Sequence, residues 1–274
     1  MTNCPQYVGT CALCREEKEL RESHFLPKGL YRLLVRVSKT KNSVPIQESS
    51  RGSLQTSKQA AKRLLCGDCE KRFDQRGENW MLRNIYRGHG RFRLREMIEA
   101  TTPLSASDEL KLYSGKVVPD GGIDSLAYFG LSIFWRAAVC DWQAADRKYN
   151  AIHLGPFQED LRKYLSGLTP FPDTAILIVV LSSLGKPPIM FNFPTTTRSQ
   201  GDSFHVFQLP GITFSLQVSR HLPAEAVFFC VARSEQNLIF VSPHGDRRLQ
   251  RGALALMGKR EFGNLTFPLT EGVV

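Results

Sequence analysis

The stretches Cys11-Ala-Leu-Cys14 and Cys66-Gly-Asp-Cys69 are two Cys-x-x-Cys pairs separated by 51 residues. A two-residue gap lets both thiolates of a knuckle face one ion, and zinc takes four such soft ligands tetrahedrally. A chain carrying both pairs must bring the ends of that 51-residue segment together. Cys11, Cys14, Cys66 and Cys69 are therefore expected to hold one structural Zn2+, with disulfides or two unrelated pairs as the alternatives. The compartment argues against disulfides. The N-terminal stretch MTNCPQYVGTCALC has no basic region followed by an apolar run, as a secretory signal would. The longest aliphatic run, Ala175 to Leu181, is too short to cross a bilayer. The expectation is a cytoplasmic chain with no membrane contact, where thiols stay reduced. Cys4 reads as a free thiol, and Cys140 and Cys230 lie in apolar patterns and read as core.

Charge separates the chain into unequal parts. Residues 1–100 hold 20 Lys/Arg against 11 Asp/Glu, a net of +9, out of +10 for all 274 residues. Such a local excess favours a polyanion through counterion release. Composition then suggests three regions: a cysteine-bearing basic unit over 1–98, a Ser/Thr/Pro/Gly/Asp-rich linker over 99–123 with room for one short strand, and an α+β domain over 124–274. In the last region, apolar residues from Leu126 to Trp142 recur at helical spacing and predict a largely buried helix over 124–143. Gly155 to Leu168 predicts a second helix with Pro156 in its first turn, and Arg248 to Arg260 a late one. TAILIVVL, PIMFNF, SFHVFQL, ITFSLQV, AVFFCVA and NLIFVS read as strands of a mostly antiparallel sheet. The fold class is thus α+β, with no catalytic motif in the second half.

The head of the chain carries a more specific pattern. His24 lies ten residues past Cys14 and is followed by Leu26 and Pro27; Leu65, Cys66 and Cys69 form the second knuckle, and Glu70 follows it. This spacing resembles the zinc-bound HNH (His-Me finger) endonucleases, and the whole chain resembles bacterial members of anti-phage or mobile-element type, with a Ser132-Ile133…Trp135-Arg136-Ala137 helix in the tail. The resemblance implies an N-terminal treble-clef ββα-metal domain. It also implies a DNA-directed endonuclease, with His24 as general base and Glu70 as ligand to a catalytic Mg2+ or Mn2+. Ser23 stands where the family keeps an Asp, and Ala61 near where it keeps an Asn. Glu22 would point to the opposite strand face from Ser23. Glu78, eight residues beyond Glu70 and about 12 Å away by helix rise, reads as a solvated position unless another side chain bridges the gap.

Basic residues flank this head. Lys28, Arg32 and Arg36 follow His24, and Arg87, Arg91 and Arg93 follow the second knuckle, with Tyr86 and Phe92 interleaved. Arginines contact phosphates and aromatic rings stack on bases, so these six are the expected nucleic-acid contacts. His89 is a secondary candidate for the site. DNA is the expected partner, with RNA as the alternative, and a protein partner could dock on the second half. A chain without the metal chemistry would remain a zinc-finger binding or interaction subunit of a larger complex.

Overall fold

The computed structural model describes residues 7–37, 46–49, 52–55, 59–86, 91–144, 147–182, 190–199 and 202–242. In the head, β1 (Val8–Thr10) pairs antiparallel with β2 (Glu17–His24). The chain continues through α1 (Lys28–Val37) and the hairpin β3 (Ile46–Ser49) and β4 (Gly52–Gln55). It returns as β5 (Ala61–Cys66), antiparallel to β2 with a bulge between Arg21 and Glu22. Helix α2 (Gly67–Phe73) starts directly after β5, so Cys66 caps the helix that carries Cys69. A wide π turn over Asp74–Glu78 leads into α3 (Asn79–Asn84). Eight residues exceed two α-helical turns by about one. The wider turn takes up that surplus and keeps Glu78 on the face of the rod that carries Glu70 and Phe73.

After α4 (Arg93–Glu99) come β6 (Ser105–Ala106), β7 (Lys111–Tyr113), α5 (Gly122–Val139), the hairpin β8 (Trp142–Ala144) and β9 (Arg147–Tyr149), and α6 (Phe157–Leu165). Then follow β10 (Ala175–Ser182), β11 (Met190–Asn192), β12 (Thr195–Ser199), β13 (Asp202–Leu209), β14 (Ile212–Val218), α7 (Ala224–Phe228) and β15 (Ile239–Ser242). Seven strands form the main sheet in the order β12-β13-β14-β10-β15-β7-β6, antiparallel throughout except between β10 and β15. The fold is mixed α+β with antiparallel-rich sheets, as the strand pattern predicted. The aliphatic run of β10 is explained by its position. Ala175, Leu177, Val179 and Leu181 join the larger core, and Ile176, Ile178 and Val180 join a second core on the other face. A strand covered on both sides has no polar face to alternate with. Among the described residues, no helix is long and apolar enough to cross a membrane.

The larger core does not divide between the two halves of the chain. It joins Cys11, Leu65 and Phe73 of the head to Trp135 of α5 and to Leu177 and Phe214 of the sheet. Helix α5 lies between the two. Phe73 meets Trp135 edge-on at 5.9 Å, and Phe129 meets Phe214 at 5.9 Å. Gly77 makes the approach close, because a Cβ there would stand 3.0 Å from the Phe129 backbone nitrogen. Gly77→Ala is expected to cost about 1–3 kcal/mol through overpacking against rigid backbone. A lower urea midpoint at unchanged m-value would register it.

Two expectations are corrected. Residues 99–123 are not a linker with one short strand: they supply β6 and β7 to the main sheet, and Leu110, Leu112 and Tyr113 are buried there. AVFFCVA is not a strand. Pro223 opens α7, which buries Ala226 and leaves Phe228 exposed, and Cys230 follows at a spacing of four rather than two. The strand β12, rich in Thr, was not anticipated; it pairs with β13 at the sheet edge. The late helix expected over 248–260 lies outside the described residues.

One buried polar group in the sheet has a measurable consequence. His205 on β13 is fully buried; its Nδ1 pairs with Thr196 Oγ1 at 2.9 Å, and its Nε2 has no hydrogen-bond partner among the described residues. Burial pulls its pKa from 6.5 down to about 4. The unfolded chain thus takes up this proton first as the pH falls. The contribution is whole above pH 6.5 and lost between pH 6.5 and 4, on the order of 3 kcal/mol. Subtracting the pH–stability curve of His205→Gln from that of the wild type should leave this slope in that window alone.

Candidate functional site

The knuckle after β1 closes through its own backbone. The Cys11 N–H donates to the Glu16 carbonyl at 2.8 Å, and the Arg15 N–H to the Cys11 carbonyl at 2.9 Å, with Arg15 in the left-handed region at φ 67°. The Ala12 N–H donates to the Leu64 carbonyl and fixes the knuckle against β5. The four sulfurs of Cys11, Cys14, Cys66 and Cys69 all lie within 4.8 Å of one another, and Cys14 Sγ is 4.0 Å from Cys66 Sγ. Ligands at about 2.3 Å around a tetrahedral zinc stand about 3.8 Å apart, whereas a disulfide needs about 2.05 Å. The cluster can therefore bind a metal such as zinc, and none of the four is in a disulfide. The Cys66 N–H donates to Cys11 Sγ at 3.3 Å. A hydrogen bond with Cys69 pulls the Cys11 thiol down to about 4, and the same contact pushes Cys69 well above the usual thiol range.

The second half of the chain grips this knuckle. On α6, Arg162 donates to the Leu13 carbonyl at 2.5 Å while its other nitrogens hold Glu159. The Ser166 hydroxyl lies 3.4 Å from the same carbonyl. Outer contacts of this kind orient a metal's ligands.

Next to the cluster lies the His24 end of β2. Ser23 is fully buried and Glu22 exposed, the opposite orientations that a strand requires. The Leu65 N–H donates to Ser23 Oγ at 3.1 Å, and the Ser23 hydroxyl donates in turn to the Glu70 carboxylate. The structure thus brings Glu70 to the residue beside His24. Among the described residues, the two predicted groups are linked through Ser23 and not by a bond of their own. Burial, then the charge of Lys28, pushes the His24 imidazole below its ordinary value, and a hydrogen bond to the Glu22 backbone opposes the shift. Burial also raises the Glu70 carboxyl, opposed by the charge of Arg136 and by the Ser23 hydrogen bond.

No family model, curated protein or solved structure matches this chain.

The residue that sequence reasoning did not place in the site is Arg136. It comes from α5, is fully buried, and meets Glu78 Oε1 at 2.6 Å through Nη2. Its guanidinium lies over the Phe73 ring, 4.6 Å from the centroid. Glu78 is accordingly not a solvated helix position: its side chain is 12 % exposed and its carboxylate is held by this arginine. The signal was available, since Arg136 is the only charge between Ser125 and Cys140 in an otherwise apolar helix. Arginine in such a setting is seldom fully buried without a partner.

The basic residues are placed in part. Lys28 opens α1 beside His24, and Arg32 follows one turn on, both exposed. Arg91 and Arg93, ahead of and at the start of α4, are also exposed. Arg36 lies on α1, and its side chain is outside the described residues, as are Arg87 and His89 altogether.

Proposed function

We propose that this chain is a metal-dependent endonuclease of the HNH type, acting on DNA. The observation that carries the reading is the Ser23–Glu70 contact. It places the end of a β-hairpin strand, with His24, against the helix that opens directly from the second cysteine knuckle. Hairpin, knuckle and helix in this order agree with a treble-clef ββα-metal unit, and zinc at the four cysteines would lock hairpin and helix together. His24, favoured as the neutral imidazole, takes a proton from the attacking water. Glu70 offers a hard oxygen ligand next to the Ser23 hydroxyl. Such a lean set suits Mg2+ or Mn2+, which bind through one or two carboxylates and complete their shell with water and substrate phosphates. When bound, that ion would stabilise charge on the phosphate and the leaving oxygen. Lys28, Arg32, Arg91 and Arg93 supply the exposed charge for the DNA backbone.

The test is nicking of supercoiled plasmid by the purified chain with Mn2+. His24→Ala is expected to lower the rate by about 10²–10⁴-fold with an unchanged melting curve. Cleavage at the wild-type rate by that variant would remove His24 from the chemistry. A second reading has its own support: Ser23 replaces a metal ligand, and its hydroxyl already engages Glu70. Salt-sensitive DNA binding without cleavage at any metal concentration would select that reading, a binding module.

A further inference from the structure

Two arginines from the second half of the chain reach into the head, Arg162 and Arg136, and one of them has no structural need to be charged. Arg162 grips the first knuckle through the Leu13 carbonyl, with Glu159 beside it. Arg136 is buried over the Phe73 ring, which itself packs on Tyr128 and Trp135, and there an apolar side chain of similar volume would pack without a charge to compensate. Its Nε and Nη1 have no hydrogen-bond partner among the described residues, so the guanidinium is only partly satisfied by Glu78. Stability alone does not account for such a group. Its location gives the other account. Arg136 packs from α5 against the rod face that carries Phe73 and Glu78, close enough for its charge to act on Glu70, which the Ser23 hydroxyl holds from the β2 side.

We propose that Arg136 is a positioning residue for the Glu70 metal site: supplied by α5, it sets the two carboxylates of the rod, Glu78 by direct contact and Glu70 along the shared face. The acidic side of the site is then assembled from both halves of the chain, and the second half is part of the catalyst as well as any partner-binding surface. This rests on the nuclease reading for the identity of the site, although not for its assembly. The π turn fits the role, since it is the element that keeps both carboxylates on the face Arg136 covers.

The test uses the zinc-loaded full-length chain and three variants: Arg136→Lys, the double variant Glu78→Gln/Arg136→Met, and Glu70→Gln. Mn2+ binding is read by electron paramagnetic resonance, cleavage is followed against Mn2+ concentration, and thermal melting is recorded alongside. The double variant removes both charges together and is expected to melt close to the wild type. Its Mn2+ requirement should nevertheless rise at least tenfold, towards that of Glu70→Gln, and Arg136→Lys should recover part of the loss. Wild-type Mn2+ binding by a folded double variant overturns the role of Arg136 and leaves the nuclease reading standing. Wild-type protein that binds Mn2+ at Glu70 without cutting DNA overturns the nuclease reading and leaves the positioning role standing. Wild-type protein that binds no Mn2+ overturns both.

Discussion

Cys69→Ser, or removal of the metal by a strong chelator, is expected to unfold the head of this protein. In small zinc domains the metal-binding free energy, about 10–16 kcal/mol, is folding free energy, as large as the whole stability of an ordinary domain, about 5–15 kcal/mol. Here the cluster closes the segment between the knuckles and underlies a buried layer of Leu13, Leu20, Leu65 and Phe73. Ser cannot replace a thiolate in a soft tetrahedral site. The variant should lose bound zinc by elemental analysis, lose its cooperative melt, and bind a hydrophobic dye. Cys140→Ser, at a half-buried thiol outside the cluster, should retain metal and melting point. A Cys69→Ser protein that melts like the wild type without metal would refute a structural role for the site.

Glu78→Ala is the second large effect. It leaves Arg136 fully buried without the carboxylate at 2.6 Å that now answers its charge, and breaking one side of a buried pair costs about 3–5 kcal/mol. Removing both charges together restores most of that. A double-mutant cycle over Glu78→Ala and Arg136→Met should therefore show strong coupling, with the single carboxylate variant less stable than the double in urea. Equal stability of the single and double variants would mean the arginine finds another partner.

The two knuckles were legible in the sequence because their chemistry is encoded in spacing: thiolates two residues apart can face one ion whatever the rest of the fold does. The buried helix α5 was legible from its helical spacing, and the strands β10, β13, β14 and β15 as short apolar runs bounded by turn residues. AVFFCVA misled for the same reason, since a short apolar run has too few residues to separate a period of two from a spacing of four. The Ser23–Glu70 contact could not be read, because it depends on the register of β2 against β5 after a bulge. The Arg136–Glu78 pair was also hidden: 58 residues separate its partners, and only the packing of α5 on the rod brings them together. In 99–123, where one short strand was expected, the polar, turn-rich stretch gives two to the edge of the sheet.

The strand order also sets a timetable for the chain as it is made. The final described strand, β15, does not join the sheet at its rim; it slots between β10 and β7, pairing Phe240 with Leu112 and with Val180. Synthesis runs at about 5–20 residues per second, so β7 waits on the order of ten seconds for the neighbour that completes its pairing. Such distant pairings are the slow ones. The middle of the sheet, and with it the surface on which α5 rests, closes only when this strand arrives, so the head receives its finished support only after residue 242 has been made.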